Sequence, residues 1–199
     1  MGERRRAAPV LTAAPAHQFD DLSLAPGGAG ATAAWTYSWF DELGAYHSEA
    51  FVADLAHPLR PRVLSAGGQT ASGLALAGAR GVEVLAFRAC DSSGACSAYA
   101  SFRASHGGFG RPSRLGPIDP SQEPGATVGG DGTAVVGWIE GGRVLAVTRP
   151  SRARSFSAAR RLSPTVYASE LILAPAGTGA VAAWTEGTVS PSLVAATLR

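Results

Sequence analysis

The feature that most limits what this chain can fold into is a segment that occurs four times: a glycine-containing turn, a short apolar run, then a large aromatic residue. It reads GGAGATAAW up to Trp35, GARGVEVLAF up to Phe87, GGDGTAVVGW up to Trp138 and PAGTGAVAAW up to Trp184. The four anchor aromatics stand 52, 51 and 46 residues apart. A period of this size marks a solenoid, a propeller or an array, built from small units that cannot bury an apolar face alone.

Each repeat reads as four short strands. A brief apolar segment comes first (Leu22 to Pro26, Leu74 to Ala77, Ala126 to Val128, Leu171 to Pro175), and the glycine turn reverses the chain. The anchor strand follows: Ala31 to Trp35, Val82 to Phe87, Thr133 to Trp138, Gly179 to Trp184. It is apolar on both alternating faces, as a strand between two other sheets must be. The third strand alternates more clearly and ends in arginine in three repeats, at Arg103, Arg149 and Arg199. The fourth (from Arg62, Arg114 and Arg161) carries small polar residues or proline, which an outer edge tolerates. The pattern predicts one all-β repeat domain over residues 1–199, with four propeller-like blades of four antiparallel strands. Repeat four lacks its outer strand, and the segment from Arg6 to Thr12 has the matching pattern, with Leu11 aligned on Leu162. Pairing of that segment with the last blade would close a ring; the alternative is an arc of a longer array.

The recurring glycine turn, small apolar strand, tryptophan and later Leu-Ser resemble the tandem β-propeller repeats of bacterial proteins, of the broad sialidase-like and kelch-like kind. The sialidase Asp-box is Ser-x-Asp-x-Gly-x-Thr-Trp. Asp131-Gly132-Thr133 keeps a fragment of it, without the serine or the adjacent tryptophan, and is expected to be a turn. No Trp-Asp signature is present. The resemblance implies a secreted, loop-presenting propeller and leaves open whether it binds or hydrolyses.

Composition narrows the function classes. Hydrophobic residues make up 46% of the 199, and net charge is only +2, which argues against disorder. The 17 basic residues, all arginine, are scattered apart from Arg4 to Arg6 and Arg160-Arg161, so nucleic acid is not an expected partner. No apolar run approaches the roughly 20 residues that span a bilayer, so membrane insertion is not expected either. The N-terminal MGERRRAAPVLTAAPA has the charged start of a signal peptide, but prolines break its weakly apolar middle.

Four residues between the second and third strands of repeat one, Trp39, Phe40, Tyr46 and His47, are large groups where the repeat needs none. Read as a loop from Thr36 to His47, they would suit a sugar ring or a protein surface, or would cap the end of the blade. Cys90 and Cys96 flank the matching tip in repeat two and are the only cysteines; a bridge between them would indicate an oxidising, extracytoplasmic compartment. Glu140 and Glu186 each follow an anchor tryptophan by two residues, so a carboxylate pair for glycoside hydrolysis is conceivable beside the plainer reading as polar strand ends. The histidines, His17, His47, His57 and His106, show no metal spacing, and neither a metal nor a cofactor is expected.

The leading expectation is therefore a non-catalytic module that binds a carbohydrate or a protein surface. The alternatives are a sialidase-like glycoside hydrolase and a structural fragment of a larger propeller, with self-association if the ring is incomplete.

Overall fold

The computed structural model describes residues 17–27, 30–55, 61–104 and 107–198. Fifteen strands among them form four antiparallel sheets, and none of these residues is in a helix. Sheet 1 holds β1 (His17–Gly27), β2 (Gly30–Phe40), β3 (Tyr46–Asp54) and β4 (Arg62–Val63) in chain order. Sheet 2 holds β5 (Thr70–Ala79), β6 (Val82–Cys90), β7 (Cys96–Arg103) and β8 (Ser113–Pro117). Sheet 3 holds β9 (Gly125–Val128), β10 (Ala134–Glu140), β11 (Arg143–Arg149) and β12 (Arg160–Arg161). Sheet 4 holds β13 (Ala168–Ala176), β14 (Gly179–Glu186) and β15 (Ser192–Leu198). The expected closing strand from Arg6 to Thr12 lies outside the described residues.

The sheets pack in a row, one on two, two on three and three on four, chiefly through their first strands. This is the blade arrangement that the repeat implies. Period-two alternation divides the faces. Along β6, Leu85, Phe87 and Ala89 pack toward sheet 1, whereas Val82, Val84 and Ala86 pack toward sheet 3. Trp138 lies against sheet 2 and Trp184 against sheet 3. Phe87, Trp138 and Trp184 thus face the preceding blade, in clusters that include Ala34 and Ala50 with Phe87, Ala98 and Ala100 with Trp138, and Ala146 beside Val135, Ile139 and Val144 with Trp184. Trp35 occupies the same position in sheet 1, stacked on Phe51 at 5.8 Å. All four anchors are buried, Trp138 completely. That is why the interior tolerates so much alanine: a small face must receive each large ring.

An irregularity recurs opposite three anchors. The pairing register shifts between Asp20 and Ser23, between Ser72 and Ala75, and between Ser169 and Ile172. Each shift holds one residue of positive φ, Asp21 at 49°, Gly73 at 60° and Glu170 at 54°. Such a bulge turns the innermost strand and re-aims its side chains. Two third-strand arginines, Arg103 and Arg149, lie against aromatic rings. Arg149 sits 3.8 Å above the Phe102 ring of the preceding blade, and Arg103 lies 5.2 Å from the centre of Phe109.

Candidate functional site

The segment from Thr36 to His47, expected to be a loop, is mostly strand. β2 runs to Phe40, β3 begins at Tyr46, and only residues 41–45 turn. The reason is the alternation Trp35-Thr-Tyr-Ser-Trp-Phe, which gives the hairpin an aromatic face and a mostly hydroxyl-bearing one. Trp39 and His47 are directly opposite across the strands, and Phe40 and Tyr46 form the next pair. The expected cluster is therefore divided between two faces. Trp39 lies between His17 and His47, with ring centres 5.9 and 5.3 Å away, on the face directed away from sheet 2. Phe40 and Tyr46, both exposed, contact each other at 5.4 Å on the opposite face.

The turn itself repeats. Asp41 Oδ1 accepts the N–H groups of Leu43 and Ala45, each at 2.9 Å, and Asp91 Oδ1 accepts those of Ser93 and Ala95 at 2.9 and 3.1 Å. Both turns read Asp-x-x-Gly-Ala, with Gly44 and Gly94 at φ near 80° (78° and 83°) where a side chain would be strained. In this register Phe40 and Tyr46 correspond to Cys90 and Cys96, which form a cross-strand disulfide. One repeat clamps the end of its hairpin covalently, the other with two rings. A Phe40→Cys and Tyr46→Cys double variant is accordingly expected to oxidise to a second bridge, seen as resistance of both new thiols to alkylation in mass spectrometry.

Hydrogen bonding holds both turn carboxyls below the ordinary carboxylate range. For Asp41 the largest cause is the His47 ring, 2.8 Å away, followed by the Ala45 N–H; for Asp91 it is the Ser93 hydroxyl, followed by the Ala95 N–H. A carboxyl depressed on folding contributes fully above its ordinary value near 3.8 and loses that contribution as pH falls through the lower folded value. The hairpin tips are therefore expected to loosen only in that acid window, with amide exchange at Ala45 and Ala95 as the readout. Asp131 is depressed likewise, first by the Thr133 N–H, within the turn that joins β9 to β10. The Asp-Gly-Thr fragment is thus a turn, as expected.

Beside Phe40 and Tyr46 a cleft of about 320 Å³ opens between sheets 1 and 2. Its walls include Gln18, Asp20 and Asp21 of β1, Thr36 and Ser38 of β2, Ser48 of β3 and Ser72 of β5, with Trp39 at its edge. Ser48 donates to the Ala71 carbonyl at 2.7 Å, tying the two sheets together at this point. Ser38 donates to Asp20 Oδ2 at 2.7 Å, while Thr36 at 3.3 Å and the Gly73 N–H at 2.9 Å both donate to Asp21 Oδ2. The bonds to Asp20 and Asp21 all use Oδ2, so among the described residues Oδ1 of each is available as a further acceptor. Across the cleft, Arg88 donates through Nε and Nη2 to Ser72 Oγ at 3.1 and 2.7 Å and through Nη1 to the Pro120 and Gln122 carbonyls, which fixes the Ser72 side. The arrangement offers carboxylate and hydroxyl partners under an aromatic rim, in a volume that suits a small polar ligand.

The sequence signals for Trp39, Phe40 and Tyr46 lead to this cleft, but Asp20, Asp21 and Ser72 were not foreseen. Their only signal was an acidic pair and a Ser-Gly step at matching repeat positions, and the bulge that turns Asp21 was not visible in the pattern. Glu140 and Glu186 are elsewhere. Glu186 Oε1 accepts the Trp184 indole N–H at 2.8 Å, on the face of sheet 4 that meets sheet 3. Glu140 ends β10 on the face with Trp138, which meets sheet 2, so β10 lies between the two carboxylates. Neither lines the cleft.

No protein-family model matches the sequence, and no curated protein matches it. Among solved structures the chain is similar to the Hadza microbial sialidase Hz136 (11% identity, TM-score 0.52, 89% of this chain and 44% of that one). It is also similar to Trypanosoma rangeli sialidase (10%, TM-score 0.54, 90% and 36%) and to the polysaccharide lyase Uly1 (8%, TM-score 0.52, 90% and 44%). At such identities the likeness shows the fold alone: this is a β-propeller-type chain. It spans less than half the length of these structures.

Proposed function

We propose that this protein is a non-catalytic, extracytoplasmic module that binds carbohydrate in the cleft between sheets 1 and 2. The carrying observation is the cleft itself: Asp20 and Asp21 offer acceptors for sugar hydroxyls, and the exposed rings of Phe40 and Tyr46 suit the apolar face of a pyranose. The sialidases and the polysaccharide lyase of similar fold are carbohydrate-active by name, which agrees with this reading. The Cys90–Cys96 bridge suggests an oxidising compartment, and no helix among the described residues is long and apolar enough to cross a membrane.

Hydrolysis by Glu140 and Glu186 is the weaker reading, because Glu186 is engaged by the Trp184 indole and Glu140 starts from the far side of β10. The test is retention on a panel of immobilised oligosaccharides. Wild type is expected to be retained by at least one of them, and Phe40→Ala with Tyr46→Ala to lose at least tenfold in affinity with little change in melting temperature. Turnover of chromogenic glycosides that disappears in both Glu140→Gln and Glu186→Gln would establish the hydrolase instead. Retention on protein ligands alone would replace carbohydrate by a protein surface.

A further inference from the structure

Each inter-sheet contact in the row has a direction. The anchor-bearing face of one blade rests on the small-residue face of the blade before it, three times in succession. Among the described residues, the first and last sheets of the row each keep one such face open. On sheet 1 it is the anchor face: Trp35 and Ala33 lie within the sheet, and Phe19, Leu22 and Leu24 stand over them at 40%, 70% and 62% exposure. On sheet 4 it is the small face. Ala182 and Trp184 of β14 point to sheet 3, so Val181 and Ala183 point away, and Ile172 of β13 and Leu193 of β15 join them at 67% and 79% exposure. These exposures show that the two faces do not cover each other within one chain among the described residues. They are the two unlike halves of a fourth contact of the kind already made three times, carried by one molecule at opposite ends of the row.

We propose that the open anchor face of sheet 1 docks onto the open small-residue face of sheet 4 of a second copy, so that the chains associate head to tail. The occupant is argued from direction. An anchor face needs a small-residue face as its complement, and sheet 4 presents the only such face left open among the described residues. Two anchor faces meeting each other would oppose anchor to anchor, which none of the three internal contacts does. A contact between unlike patches of identical chains is heterologous, and it closes into a ring or continues as a filament according to the rotation between copies. This goes beyond the carbohydrate reading and does not depend on it.

The test uses the full chain, with mass measured by sedimentation velocity over a wide concentration range. Wild type is expected to rise from monomer to at least twice the monomer mass. Leu24→Arg on the sheet 1 face and Leu193→Arg on the sheet 4 face are each expected to remain monomeric, with circular dichroism unchanged because both positions are exposed. Mixed in equal amounts, the two variants retain one intact face each and are expected to form a 1:1 dimer that grows no further. A wild type that stays monomeric at every concentration would overturn the proposal. Dimerisation of Leu193→Arg alone would also overturn it, by showing a like-to-like contact through sheet 1.

Discussion

Replacing Arg103 by methionine is expected to destabilise the protein by about 3–5 kcal/mol, because it leaves a carboxylate buried with no counter-charge. Glu83 is completely buried in β6, and its Oε2 is held by the Arg103 guanidinium from the paired strand. The same guanidinium donates to Thr32 Oγ1 at 2.5 Å and stands 3.8 Å from Asp54 Oδ2, both in sheet 1. It therefore neutralises Glu83 and joins two blades, while Glu83 Oε1 has no hydrogen-bond partner among the described residues. Removing one partner costs far more than removing both, so Glu83→Leu combined with Arg103→Met is expected to recover most of the loss. Chemical denaturation of the two single variants and the double variant gives the coupling directly. Near-additive losses would show that Glu83 and Arg103 are not coupled and would contradict this reading.

The second large effect is at the anchors. Trp138→Ala is expected to cost about 3–5 kcal/mol, the range for deleting a fully buried aromatic. Trp138 is wholly enclosed between sheets 2 and 3, and Gly116 leaves just enough room for its ring, since a Cβ there would come within 3.3 Å of Cζ2. Its indole nitrogen has no hydrogen-bond partner among the described residues, so Trp138→Phe removes volume but no polar contact and is expected to cost much less. Trp35→Ala is expected to cost less than Trp138→Ala, because among the described residues Trp35 is covered by Phe51 and Phe19 of its own sheet rather than by a neighbouring one. Equal losses at the two positions would contradict the direction of packing along the row.

The fold was legible because its determinants are local and repeated. A glycine turn, an apolar run and an aromatic at nearly constant spacing mark the anchor strand wherever it occurs, and proline with small polar residues marks the outer strand. The disulfide was legible for the same reason, since Cys90 and Cys96 flank a turn that the repeat had already placed. The site was only half legible. Phe40 and Tyr46 stood out as departures from the repeat, but whether a hairpin residue faces one sheet or the other is set by strand parity, and reading residues 36–47 as a loop concealed it. Trp39 and His47 consequently belong to the other face. Asp20 and Asp21 depend on a bulge that only pairing with β2 reveals, and Arg88 acts through carbonyls of Pro120 and Gln122, more than 30 residues away in sequence. The carboxylates two residues after the tryptophans, Glu140 and Glu186, were conspicuous by position but do not line the cleft.

The measurement that tests the cleft most directly is a backbone chemical-shift map during titration with an oligosaccharide that retains the protein. The account predicts that the perturbed amides cluster at Gln18, Asp20, Ser38, Phe40, Tyr46 and Ser72, on three strands of sheet 1 and one of sheet 2. Perturbations centred instead on Glu140, Arg143 and Glu186, with the cleft residues unmoved, would contradict it.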